Sequence, residues 1–142
     1  MTPRELMERA AQARRNAYAP YSHFAVGAAL LCADAEVFTG CNLENASYSP
    51  TMCAERVAFG TALAAGHRAF TAIAIVGGDC DRQADSACFP CGVCRQVMRE
   101  FCTDDFRIYL LDAERIVTYT LGQLLPHSFT LEGNHHAHDG HH

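Results

Sequence analysis

Three cysteines and one glutamate have the types and spacing to do chemistry. Cys91-Gly92-Val93-Cys94 sets two thiols three residues apart behind Pro90. At the start of a helix, positions i and i+3 share a face, so both sulfurs can grip one ion. Cys53-Ala54-Glu55 opens another apolar stretch with a third sulfur and a carboxylate two residues on. Three protein ligands around Zn²⁺ leave the fourth tetrahedral position to water, and a nearby carboxylate that is not a ligand can take that water's proton and pass it on. Cys53, Cys91 and Cys94 are the expected zinc ligands and Glu55 the expected catalytic carboxylate. A Cys-x-x-Cys pair also has a redox reading, but a thioredoxin-like site does not require a Cys-x-Glu motif elsewhere.

Three thiolates around Zn²⁺ leave a net charge of about −1, which blunts the metal's power to acidify water, so something positive must compensate. Two helix N-termini supply partial positive charge. Arg56, beside Glu55, is expected to be the main donor to the sulfurs, with Arg95, beside Cys94, as a second. Cys53 and Glu55 stand at i and i+2, which face apart on the flank of a regular helix; the arrangement works only if the helix end faces the metal. Cys88, three residues before Cys91, is an alternative fourth ligand. A site with four protein ligands would be a structural zinc module that binds nucleic acid or a protein partner. Cys32, Cys41, Cys80 and Cys102 read as packing or surface thiols.

The elements that must position these residues follow from 142 residues with 49% hydrophobic and 19% charged side chains, enough for one globular domain. The net charge is −5 and the chain has no lysine, which excludes a lysine Schiff base or a P-loop lysine and argues against a gripped polyanion. A small-molecule substrate, no nucleic acid and no membrane are expected. Eight cysteines behind a polar start, Met1-Thr2-Pro3-Arg4-Glu5, fit a reduced cytoplasmic location and metal or reactive thiols more than disulfides.

Thr2-Pro3-Arg4-Glu5 reads as a capping box opening a helix over roughly 3–17, which Pro20 stops. Residues 24–31 and 37–41 read as a hairpin with Asp34 in its turn, and 53–64 as an alanine-rich helix ending near Gly66. Thr71–Val76 reads as a buried strand closed by Gly77-Gly78, Pro90 opens a helix through Phe101, and 106–111 and 116–119 are strands before a helical turn at 121–125. This order predicts an α/β three-layer sandwich: a mixed sheet of about five strands with helices on both faces. The domain is expected over 1–131. Residues 132–142, with five of the eight histidines, read as a disordered His-rich tail, either native and metal-binding or an appended segment.

The Cys-x-Glu and Pro-Cys-x-x-Cys motifs resemble the zinc deaminase signature. The wider chain is similar to the small homotetrameric cytidine deaminases over roughly 1–130, through Tyr21-Ser22-x-Phe24-x-Val26-Gly27-Ala28-Ala29, Gly40-x-Asn42-x-Glu44-Asn45-Ala46-Ser47-Tyr48, Cys53-Ala54-Glu55-Arg56, Cys91-Gly92-x-Cys94-Arg95-Gln96 and Leu124-Leu125-Pro126-x-Ser128-Phe129. The resemblance implies that Asn42 and Glu44 hold the ribose hydroxyl, that Phe24 packs on the pyrimidine, and that Ala54 and Glu55 meet the base edge. It implies that Tyr48 and Phe129 lie near a neighbouring subunit's site, in a homotetramer with shared active sites. By residue type alone, Asn42 and Glu44 could instead cap the hairpin end, and Phe24 could be core. The activity implied is hydrolytic deamination of cytidine and 2′-deoxycytidine in pyrimidine salvage, through hydroxide on one Zn²⁺ per subunit. A nucleotide (dCMP) deaminase or a blasticidin-type deaminase is the alternative within the class.

Overall fold

The computed structural model describes residues 1–84 and 87–131; the expected tail at 132–142 lies outside them. Helix α1 (Pro3–Arg14) begins as the capping box requires, with Thr2 Oγ1 accepting from Glu5 N at 3.1 Å and the Glu5 carboxylate accepting from Thr2 N at 2.8 Å. It ends three residues before the expected 17, because its exit tightens into bonds from Asn16 N to Ala13 O and Ala17 N to Arg14 O, and the backbone of Tyr18 then pairs with Leu43. Strands β1 (Phe24–Cys32) and β2 (Val37–Cys41) form the expected hairpin.

Helix α2 (Ala54–Ala64) and strand β3 (Phe70–Asp79) follow. Gly77-Gly78 does not close β3, as its local sequence suggests; the strand runs through both glycines because β1 pairs with it as far as Phe24 opposite Asp79. Helix α3 (Gly92–Phe101), strands β4 (Arg107–Asp112) and β5 (Arg115–Thr120) and the short α4 (Leu121–Leu124) complete the chain. The sheet order is β2-β1-β3-β4-β5, and β3 and β4, joined through α3, are its parallel pair.

Alternation along the strands sends successive side chains to opposite faces and divides the core in two. On one face Ala29, Ala72, Ala74, Val76 and Tyr109 pack against Leu6, Met7 and Ala10 of α1. On the other, Ala28, Leu30, Ile73, Ile75, Ile108 and Leu110 pack against Ala58, Phe59 and Ala62 of α2 and Met98 of α3. Helices therefore cover both faces, the three-layer arrangement expected.

Phe59 anchors that second layer, with ring centroids 5.1, 6.1 and 6.4 Å from Phe70, Phe106 and Phe101. Two glycines set how closely the helices lie on the sheet. A Cβ on Gly27 would stand 2.0 Å from Ala10 O, and one on Gly40 would stand 2.4 Å from Ala54 O and 2.6 Å from Ala58 N. The atoms met are backbone, so the helix itself would have to move. Gly40→Ala is expected to lift the start of α2, lower stability by about 1–3 kcal/mol in a denaturant titration, and weaken metal binding at the helix start. An unchanged melt and metal content would show that α2 does not depend on this approach.

Candidate active site

Cys53 is the residue before α2 and Cys91 the residue before α3, and neither side chain caps its helix. Both sulfurs are thus left to each other and to Cys94, one turn into α3. Cys91 Sγ lies 3.5 Å from Cys94 Sγ and 3.9 Å from Cys53 Sγ, and all three sulfurs fall within 4.8 Å of one another. Cys53 has extended backbone, φ −73° and ψ 151°, whereas Glu55 is already helical and only 5% exposed. Leaving the helix at Cys53 is what lets i and i+2 face one site: the Cys53 charge acts on the Glu55 carboxyl. Cys91 is exposed, so water reaches the group from that side.

The charge distribution is uneven. Hydrogen bonds from the Cys94 thiol, then from Arg56 and Cys91, pull Cys53 down to about 5, which makes it the thiolate of the trio. Cys94, donating to that thiolate and buried, is pushed upward. Burial pushes Glu55 up to about 7, with the Cys53 charge adding to it. A carboxyl near 7 can both take and return a proton at neutral pH.

Arg56 does what its position suggested: Nη2 lies 3.7 Å from Cys53 Sγ and donates to Thr51 O at 3.1 Å. Arg95 does not. Its Nε donates to Pro90 O and its Nη1 to Leu124 O, both at 2.7 Å, because the α3–α4 packing offers it two carbonyls and the sulfurs none of its bonds. Cys88 is not in the sulfur group. It is pushed up to about 11, mainly by burial, and its sulfur shares with the Phe24 ring the space above Gly77, at 3.2 and 3.0 Å from where a Cβ would stand.

The remaining expected residues surround this centre unevenly. Ala54 is fully buried beneath it. Asn42 Oδ1 accepts from Val26 N at 2.8 Å and its Nδ2 donates to Phe24 O at 2.9 Å, so the amide extends the β1–β2 ladder and keeps one further donor and acceptor. Glu44 accepts from Tyr21 N at 2.9 Å, Ser22 N at 3.2 Å and Ser22 Oγ at 2.5 Å. Those bonds, Ser22 Oγ foremost, hold its carboxyl below the usual range, as an anion. Tyr21, Ser22, Glu44, Asn45, Tyr48 and Thr51 line a cavity of about 440 Å³. Thr51, whose carbonyl takes Arg56, joins the cavity to the sulfurs. Tyr48, with φ +62°, is 77% exposed. Phe129 is 68% exposed, its carbonyl held by Gln96 Nε2 at 3.2 Å.

Residues 1–110 match the family described as "Cytidine and deoxycytidylate deaminase zinc-binding region". A cytidine deaminase of Halalkalibacterium halodurans is 48% identical over 89% of this chain and 93% of its own length. One from Sporosarcina psychrophila is 43% identical over 93% of this chain and 94% of its own. The crystal structure of cytidine deaminase from Burkholderia pseudomallei superposes with a TM-score of 0.82 at 46% identity, covering 91% of this chain and all of that one. The chain belongs to the cytidine and deoxycytidylate deaminase family. The cysteine trio fits the zinc that the family description names: three soft donors converge, one already ionised, with no fourth Cys, His, Asp or Glu in the group among the described residues.

In this deaminase fold two further residues set the site, and sequence spacing did not single them out. Ser22 Oγ bridges Glu44 and Phe24 N, the latter at 3.0 Å, across 22 residues. Arg14 leaves the end of α1 to hold Ala25 O and Gly78 O at 2.9 Å and Asp79 O at 2.5 Å, clamping the strand ends beside Phe24. The nearest signal was an arginine ending an amphipathic helix, which has no unique partner in sequence. Arg56→Gln is expected to lower zinc affinity about 10–100-fold in a chelator competition with the fold intact, since the donor to Cys53 is lost. Wild-type affinity in that variant would remove Arg56 from the site.

Proposed function

We propose that this chain hydrolyses cytidine and 2′-deoxycytidine to uridine and 2′-deoxyuridine with release of ammonia, serving pyrimidine salvage in the cytoplasm. One observation carries the reading: Cys53, Cys91 and Cys94 bring three sulfurs within 4.8 Å of one another, leaving a metal's remaining position to water, and the buried Glu55 carboxyl two residues from Cys53 feels its charge. Cys53, Cys91 and Cys94 would hold one Zn²⁺ per subunit. Zinc there supplies Lewis acidity, lowering the pKa of water toward neutrality.

The chain's own groups do the rest. Glu55, near 7, takes a proton from water as the water oxygen adds to C4 and delivers it to N3 of the base. It then carries the remaining hydroxyl proton to the amino group, which leaves as ammonia as C4–N breaks and C4 keeps the oxygen as a carbonyl. Arg56 offsets the sulfur charge that would oppose the first transfer. Asn42 has hydrogen-bonding capacity to spare for a ribose hydroxyl, and Glu44 offers it an anionic acceptor. Phe24, seated over Gly77, provides an apolar surface for the pyrimidine.

The cavity beside Glu44 favours a nucleoside over a nucleotide, since none of its six lining residues is basic and an ionised carboxylate repels phosphate. Tyr48 and Phe129, both largely exposed, fit positions covered by neighbouring subunits in a homotetramer with shared sites. Among the described residues, no helix is long and apolar enough to cross a membrane.

Ammonia release from cytidine, deoxycytidine, dCMP and blasticidin S, with and without a chelator, tests the assignment. Zinc-dependent release from the two nucleosides is expected, and a clear preference for dCMP would overturn the nucleoside reading. Glu55→Gln is expected to keep its zinc yet lose about 10²–10⁴-fold or more in turnover. Wild-type turnover by that variant would sink the proton-transfer role.

A further inference from the structure

Helix α2 carries a second group of metal-ligating side chains at its other end. Cys32 closes β1, Asp34 and Glu36 lie in the turn to β2, and His67 follows α2, its backbone N–H bonding Ala62 O at 3.0 Å. One ligand atom each from Cys32, Asp34 and His67 lies within 4.8 Å of the others. His67 Nε2 is 3.1 Å from Asp34 Oδ2 and 2.6 Å from Glu36 Oε2.

An imidazole nitrogen carries at most one proton, so two carboxylates crowd a single N–H. The cation next in sequence does not relieve them: Arg68 Nη1 donates to Leu63 O and His67 O, both at 2.8 Å. A metal ion in place of that proton would satisfy both carboxylates, and the C-terminal end of α2 favours positive charge. Cys32, Asp34 and His67 already converge, and Glu36, outside that group, meets the imidazole. Asp34 Oδ1 accepts from Glu36 N at 3.1 Å, Cys32 N donates to Glu36 O at 2.8 Å, and the Phe38 ring packs edge-on against the His67 ring at 4.9 Å. The two carboxylate side chains are 56% and 60% exposed, which gives an ion a path in and leaves them free to rotate toward it.

We propose that Cys32, Asp34, Glu36 and His67 form a second metal site, distinct from the three-cysteine group, that takes a divalent transition ion of the zinc type. One sulfur, one imidazole nitrogen and two carboxylates make a borderline donor set, suited to zinc rather than to calcium or magnesium. Zinc bonds of about 2.0–2.3 Å imply ligand atoms about 3.3–3.8 Å apart in a tetrahedron, so the His67–carboxylate contacts of 2.6 and 3.1 Å would open around an ion while the wider spacings, within 4.8 Å, would close. The ion would tie the β1–β2 turn to the α2–β3 junction.

Equilibrium dialysis of the full chain against zinc tests this, with Asp34→Asn/Glu36→Gln and His67→Gln compared with wild type. The histidines at 135–142 are common to all three, so they cancel in the difference. Each variant, folded by circular dichroism, is expected to bind one zinc fewer per chain, or to bind that zinc about tenfold or more weakly. Cys91→Ser should remove a different equivalent, so that losses add when it is combined with His67→Gln. Zinc should also raise Tm more in wild type than in either variant. Equal zinc content and equal zinc-induced shifts in all three proteins would overturn the site and leave an ordinary His–carboxylate ion pair. Because turnover of cytidine is not read, failure of the deaminase reading would not alter the result.

Discussion

Three sulfurs within 4.8 Å of one another and a carboxyl only 5% exposed concentrate more negative charge than a protein interior readily holds, and the architecture is built around that excess. Two helices present their N-termini to it, one through Cys53 and one through Cys91. Arg56 adds a full charge, its guanidinium held in place by Thr51 O. The excess settles unequally. Cys53 carries the charge, Cys94 keeps its proton, and Glu55 is driven toward neutrality by burial. Chemistry that moves a proton back and forth needs such a carboxyl, and the same burial that strains the site creates it.

Holding two helix ends on one point requires a sheet that fixes both. Gly40 lets α2 touch the sheet through backbone, while β3 and β4, running parallel, place α3 beside α2 on the same face. The short pairings of Leu43 with Tyr18 and Met52 then stitch three separate stretches together: the exit of α1, the Asn42–Glu44 segment and the approach to Cys53. The groups expected to meet the sugar and those expected to hold the metal are thus joined by backbone bonds at Leu43, not merely by proximity.

What was legible in the sequence was local. Both cysteine motifs, the Thr2–Glu5 capping box and the hairpin at residues 24–41 announce themselves within a few residues, and the structure places each where its spacing says. What was not legible depends on partners far along the chain. Gly77-Gly78 looks like a strand end until β1 is laid beside it. Arg95 looks like a sulfur donor until α4 brings the Leu124 carbonyl within 2.7 Å. Arg99, 2% exposed on α3 and bonded to Asp104 at 2.5 Å, could not be told from a solvated arginine. Cys32 reads as a packing thiol and is one, 2% exposed in the core, but nothing in its neighbourhood shows that His67 lies across from it.

The placement of that last pair has its own physical sense. A helix dipole has two ends, and a fold that uses the positive end of α2 against thiolates also leaves a negative end to be dealt with. No basic side chain occupies the last turn of α2, and the final carbonyls meet His67 N–H and the guanidinium of Arg68 instead. A cation seated between His67, Asp34 and Glu36 would complement that end as the helix start complements Cys53. One helix would then stand between an anionic group at its N-terminus and a cation at its C-terminus, each favoured by the same aligned peptides, so the second site reinforces rather than competes with the electrostatics of the first.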